Sequence, residues 1–176
     1  MKQFMSILLV VFTLLSLCAC QSNENPTTTT AAVPGTTTTA PANKEPLQLD
    51  LAATYATITT GVQMPDMMYI EEDMLLDLYG IKAEHYKQAQ VYLCSYSLQA
   101  DEIWLIEAAD EAALATLKTL AQNRLQQKDD ESLTYSPAQN AVVKKAHLAT
   151  YGNYLVMIVS PDVDTIATAF RTAAGL

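Results

Sequence analysis

Arg124, Tyr135 and Trp104 are the residues in this chain whose chemistry most invites a binding role. An arginine offers a rigid fork of donors and a phenol oxygen can accept, so Arg124 on a helix and Tyr135 from the loop expected after it could form one hydrogen-bonded unit. That unit is either a clamp tying helix to loop or a candidate ligand or partner site for a carboxylate or other anion. The other reactive side chains read more plainly. His85 and His147 are the only histidines, and neither has the His, Asp or Glu partner at i+3 or i+4 that a helical metal pair requires. Both read as solvated or structural. Asp73 and Asp77 share a helix face, and Asp129-Asp130-Glu131 follows in what reads as a solvated loop. Neither group faces a second carboxylate across a cleft, as glycoside hydrolysis demands. Met64, Met67 and Met68 could offer thioethers to Cu(I), but methionines also fill gaps in cores, and the core reading is preferred. Cys94 lies in an apolar strand with no base nearby and reads as a buried, inert thiol. No nucleophile elbow, His-Glu-x-x-His, Walker loop or Cys-x-x-Cys occurs in the sequence. No catalytic residue and no metal ligand is therefore assigned.

One further residue carries a covalent chemistry. Phe4–Leu17 is apolar but for Ser6, Thr13 and Ser16, and Lys2 is the only charge before Glu24. Fourteen helical residues reach roughly 21 Å, short of a ~30 Å hydrocarbon core, which fits a cleavable signal segment better than a permanent span. Leu17-Cys18-Ala19-Cys20 follows and resembles the bacterial lipobox: a branched apolar residue, two small ones, then the cysteine that takes the lipid. Cleavage before Cys20 places small Ala19 at the cut. The resemblance implies a covalent diacylglycerol lipid on the Cys20 thiol and no other cofactor. Residues 1–19 are accordingly expected to be a lipoprotein signal peptide. Residues 20–46 hold Cys20, the runs Thr27–Thr30 and Thr36–Thr39, and prolines 26, 34, 41 and 46. That composition cannot bury enough apolar surface to offset its conformational entropy, so an extended tether is expected.

Residues 47–176 remain for a single domain. The chain carries a net charge of −9, with 10 Lys+Arg against 19 Asp+Glu, which argues against binding nucleic acid through its phosphates. With one cysteine beyond the tether, no disulfide within the domain is expected.

One pattern recurs in the domain. Strand Gln90–Leu98, strand Glu102–Ala108 and a helix from Asp110 overlay, at an offset of 52 residues, on strand Lys145–Tyr151, strand Tyr154–Ser160 and a helix from Pro161. Gly152-Asn153 is a two-residue hairpin loop with Gly first. Val163, Ile166, Ala167, Phe170 and Ala174 make one helical stripe, and Leu114, Leu117, Ala121 and Leu125 make another. A helical segment precedes both units: Asp50 caps the stripe Leu51, Tyr55, Ile58 and Val62, Glu71–Tyr79 is a helix ended by Gly80, and Ala83–Gln88 is another, with an irregular apolar stretch Met64–Ile70 between. The expected fold is α+β and two-layered: a mainly antiparallel sheet from two ββα units, its helices packed on one face.

The layout resembles the bacterial lipoproteins that carry the domain of unknown function numbered 4358. The resemblance rests on Cys20 and a polar tether, Glu102-Ile103-Trp104-Leu105-Ile106 opening into a helix with Arg124-Leu125, Tyr135 with Pro137, and the Gly152-Asn153-Tyr154 turn before an apolar strand ending at Ser160. It spans about residues 50–172 and implies location and fold, with no catalytic residue. The expectation is an extracytoplasmic lipoprotein, lipid-anchored at the cell membrane, acting as a non-enzymatic binding or accessory module with an envelope protein as partner. The competing expectation is a small extracytoplasmic hydrolase acting on cell-wall or peptide substrates.

Overall fold

The computed structural model describes residues 47–176. The expected signal peptide, residues 1–19, and the expected tether, residues 20–46 with Cys20, lie outside the described residues.

Five antiparallel strands form one sheet: β1 (Met67–Tyr69), β2 (Tyr86–Cys94), β3 (Glu102–Ala108), β4 (His147–Tyr151) and β5 (Tyr154–Val159), in the order β1-β2-β3-β5-β4. The helices are α1 (Leu51–Ile58), α2 (Glu72–Tyr79), α3 (Glu111–Tyr135), α4 (Pro137–Val143) and α5 (Val163–Ala173). The fold is α+β with an antiparallel sheet, as expected. The caps follow from local chemistry. Asp50 accepts from the Ala53 amide, and Asp110 from the Ala113 amide, each satisfying an orphan donor at a helix start. Gly80 ends α2 at φ 71, and Gly152 takes φ 58 in the β4–β5 turn, a left-handed backbone that a side chain would strain.

The helices do not lie on one face, and here the expectation is corrected. Side chains alternate across a strand, and both alternating sets of β3 and β5 are buried. Trp104, Ile106 and Ala108 join Leu155, Met157 and Val159 under Ala113, Leu117 and Ala121 of α3. Ile103 and Leu105 join Tyr154, Val156 and Ile158 under Leu51 and Ile58 of α1 and Val163, Ile166 and Phe170 of α5. Because β3 and β5 are both interior strands with apolar residues on both sides, leaving either face open would expose a continuous apolar surface. The domain therefore has three layers.

This arrangement also decides what the repeated pattern means. β2-β3-α3 and β4-β5-α5 are both ββα units, and they meet along the β3–β5 ladder. Their strands run antiparallel across that junction, yet α3 covers one face and α5 the other. A rotation that superposed the strands would put both helices on the same face. The two units are thus of opposite hand, and their likeness is one of hydrophobic pattern.

Several boundaries differ from the sequence reading. The helix expected over Ala83–Gln88 is a single 3₁₀ turn, Ala83–His85, because β2 starts at Tyr86 to pair with the whole of β3. β2 correspondingly ends at Cys94, and residues 95–101 form the connection to β3. The irregular stretch before Ile70 contains β1, with Met67 opposite Cys94. Asp129-Asp130-Glu131 lies within α3. Gln126 donates to Asp130 and Gln127 to Glu131, each at 2.9 Å and one turn apart, and the Asn140 amide of α4 donates to the Asp129 carbonyl at 3.0 Å.

Candidate functional site

The residue that organises this domain chemically is Glu102, at the first position of β3. Its side chain is fully buried, at 0% exposure, on the α3 face of the sheet. An ionised carboxylate there is sustainable only if paired and hydrogen-bonded. Arg124 Nε donates to both carboxylate oxygens at 3.1 Å, and Arg124 Nη2 donates to Oε2 at 2.9 Å. Lys128 Nζ lies 2.9 Å from the same Oε2 and also donates to the Ala100 carbonyl at 3.0 Å. Trp104 Nε1 donates to Oε1 at 2.7 Å. Arg124 and Lys128 are one helical turn apart on α3, so one carboxylate ties two successive turns of the helix to the sheet.

Two aromatic rings close the frame. Tyr79 of α2 lies against Trp104 at 4.8 Å between centroids, and the Arg124 guanidinium stands 5.4 Å from the Tyr79 centroid. The Tyr79 hydroxyl is buried without a hydrogen-bond partner. Burial, and then the negative charge of Glu102, push its pKa well above the usual phenol value. Burial alone would lower the Arg124 pKa, but its hydrogen bonds and attraction to Glu102 prevail and raise it.

Of the residues singled out from the sequence, Trp104 and Arg124 meet on Glu102, and Tyr135 does not join them. Tyr135 is the last residue of α3, eleven positions and about 16 Å of helix beyond Arg124, and it is 80% exposed. The Arg124 fork is spent on Glu102 and on Gln127, to which Nη1 donates at 3.2 Å. Arg124 therefore acts as a clamp from helix to sheet. Glu102 and Lys128 were missed in the sequence, though each broke a pattern there. Glu102 opens a strand whose next four residues, Ile103 to Ile106, are apolar. Lys128 continues the α3 stripe Leu117-Ala121 at the buried spacing but reads as a cation placed for the helix terminus.

Lys128 is also the floor of a cleft of about 220 Å³. The β2–β3 connection, from Ser97 to Ala100, forms one wall. The end of α3 with Glu131, Ser132 and Tyr135, and the start of α4 with Ser136 and Gln139, form the other. Gln139 fixes the two walls by accepting from the Ala100 amide at 2.8 Å. Leu98, 73% exposed, and Tyr135 flank the mouth. Arg124 and Trp104 thus support this cleft from behind, and Tyr135 stands at its entrance.

The remaining candidates disperse. His85 caps the 3₁₀ turn, its Nδ1 accepting from the Lys82 amide at 3.2 Å. Met67 and Met68 are adjacent on β1 and so point to opposite faces, which separates Met68 from Met64 and Met67 on the α1–α5 side and leaves no set of three thioethers on one face. Cys94 is buried, its Sγ 3.2 Å from Gln99 Oε1. Among the described residues no three or more His, Cys, Asp or Glu side chains converge to hold a metal ion.

His147 Nε2 lies 3.2 Å from the Tyr151 hydroxyl, and burial, with Arg171 nearby, lowers its pKa below 6.5. A histidine that resists protonation in the folded state binds its proton more readily when unfolded. Stability is therefore lost as pH falls below 6.5 toward the folded-state value. Chemical denaturation of wild type and His147→Gln across pH 7.5 to 5 should show the loss in wild type and a shallower one in the variant. Equal slopes would contradict this.

A five-stranded antiparallel sheet covered on both faces, braced by a buried Glu–Arg–Lys frame beneath a surface cleft, defines the class of domain. The chain belongs to the family described as Domain of unknown function (DUF4358), whose model matches residues 61–160. That span includes Glu102, Trp104, Arg124, Lys128 and Tyr135. No curated protein and no solved structure matches the chain.

Proposed function

We propose that this chain is a lipoprotein held by a diacylglycerol on Cys20 at the outer side of the cell membrane, where its domain serves as a non-enzymatic binding or accessory module. The cleft between the β2–β3 connection and the end of α3 is its recognition surface. The observation that carries this reading is the placement of the cleft relative to the chain's entry. The described chain begins beside the other end of the strands, where the Tyr154 hydroxyl lies 3.1 Å from the Leu49 amide and Gln88 Nε2 donates to the Leu49 carbonyl at 3.3 Å. Glu102 opens β3 and Glu107 stands one residue before its end, about 16 Å along the strand. The cleft thus lies at the end of β3 away from Leu49, where the described chain enters the domain. The absorption of Arg124 and Lys128 into a frame favours binding over catalysis, because charges spent on one another position walls and do not turn over substrate. An envelope component is the partner this reading implies. Replacement of Cys20 tests the anchor, and crosslinking from the cleft rim tests the surface; both are developed in the Discussion.

A further inference from the structure

The lining of the cleft also limits what can occupy it, and this step rests on the cleft being the recognition surface. Lys128 is 6% exposed and its ammonium is committed to Glu102 and the Ala100 carbonyl, so the floor offers no free cation. Glu131 lies in the wall and adds a negative charge. An anionic ligand would meet a carboxylate and no available counter-charge. Addition of a peptide strand needs free main-chain donors and acceptors along one edge. At the deepest wall these are already used: the Ala100 amide bonds to Gln139, the Ala100 carbonyl to Lys128, and the Gln99 amide to the Tyr96 carbonyl at 3.0 Å.

What the cleft does present is hydroxyls that work both ways and one carboxylate that accepts. The hydroxyls of Ser97 and Ser136 both donate and accept, and Glu131, which uses Oε1 on Gln127, retains Oε2 as an acceptor. Beside them stands the Tyr135 ring, an apolar face at the edge of water, with Leu98 as the second wall of the mouth. The matching ligand carries no negative charge, bears many hydroxyls on its rim that can donate to Glu131, and has an apolar C–H face. We infer that the cleft binds a neutral oligosaccharide, one ring of which lies between Tyr135 and Leu98 while its hydroxyls bond to Glu131 and the serines.

Calorimetric titration of the full lipidated chain in detergent micelles tests this, with three probes: the tetramers of β-1,4-linked N-acetylglucosamine and of β-1,4-linked glucose, and a sulfated oligosaccharide of the same length. The expected result is saturable binding of at least one neutral tetramer and weaker or no binding of the sulfated one. Tyr135→Ala should weaken that binding about tenfold, with an unchanged melting temperature because the ring is exposed. Tyr55→Ala, on the other face of the sheet, should leave it unaltered. Absence of binding by both neutral tetramers, preference for the sulfated probe, or binding indifferent to Tyr135→Ala would each overturn the inference. If oligosaccharide binding fails while crosslinks from the cleft rim persist in cells, the ligand class is wrong and the recognition surface stands. If both fail, the surface reading falls as well.

Discussion

Glu102→Gln should lower the stability of this domain by about 3–5 kcal/mol, the cost of removing one partner from a buried ion pair. Glutamine preserves shape and can still accept from Trp104. It removes the charge that two buried cations share: Arg124 loses the acceptor of a bidentate contact, and Lys128 keeps only the Ala100 carbonyl. For a domain of this size the loss corresponds to a fall in melting temperature of roughly 10–20 °C. Urea unfolding with matched m-values would measure it. Arg124→Leu and Lys128→Met should each be destabilising alone, and each should cost much less in the Glu102→Gln background, because the cation removed there has already lost its partner. A triple apolar replacement, Glu102→Leu with Arg124→Leu and Lys128→Met, should recover much of the stability. Such a recovery would leave the cleft without the charged brace that fixes its floor, so stability and binding should separate in that variant. A Glu102→Gln chain as stable as wild type would refute the keystone.

Cys20→Ala should have an all-or-none effect on lipid attachment. The proposed anchor is a thioether on one sulfur, so no partial activity can remain at alanine. Each buried methylene contributes about 0.8 kcal/mol, and at least two acyl chains are needed for stable retention. Among the described residues no helix is long and apolar enough to cross a bilayer. Membrane retention alone is an ambiguous readout, because an uncleaved apolar segment at Phe4–Leu17 could still hold the variant. The decisive readouts are metabolic incorporation of labelled fatty acid and the mass of the chain's N-terminus. Wild type should carry label and begin at acylated Cys20; Cys20→Ala should carry none and should not be cut after Ala19. Cys18→Ala should remain labelled. Label surviving in Cys20→Ala, or vanishing in Cys18→Ala, would contradict the assignment.

How much of this was legible from the residues varies with the length scale of the forces involved. The β4–β5 hairpin, the Asp50 and Asp110 caps and the apolar stripe of α5 follow from contacts a few positions apart, and the sequence displays them. The coverage of both faces was legible in principle, because Tyr154–Val159 is apolar without alternation and the same holds for Ile103–Ile106. Which helix covers which face was not, since that depends on how the chain crosses after β3 and after β5. The acids at 129–131 read as a loop because aspartate is a poor helix former; the bond to Asn140, eleven residues away, is what offsets that preference. In the candidate site, Trp104 and Arg124 were visible as residues but not as a pair. Their link is Glu102, twenty-two positions before Arg124, and a lone glutamate at a strand start carries no local mark of its burial. Tyr135 was visible for a reason that failed, the supposed bond to Arg124, and it now owes its interest to the exposed ring beside the cleft.

The proposed recognition surface is the cleft at the end of the sheet away from Leu49, where the described chain enters the domain. The most direct measurement places a photo-crosslinking side chain at Leu98 in the full chain inside living cells, with the same group at exposed Thr150 on edge strand β4 as the comparison. A discrete envelope adduct is expected from position 98, sharply reduced by Tyr135→Ala and missing from position 150. Adducts of equal yield from both positions, or none from position 98 in cells that carry the lipidated chain at its normal level, would contradict the proposed surface.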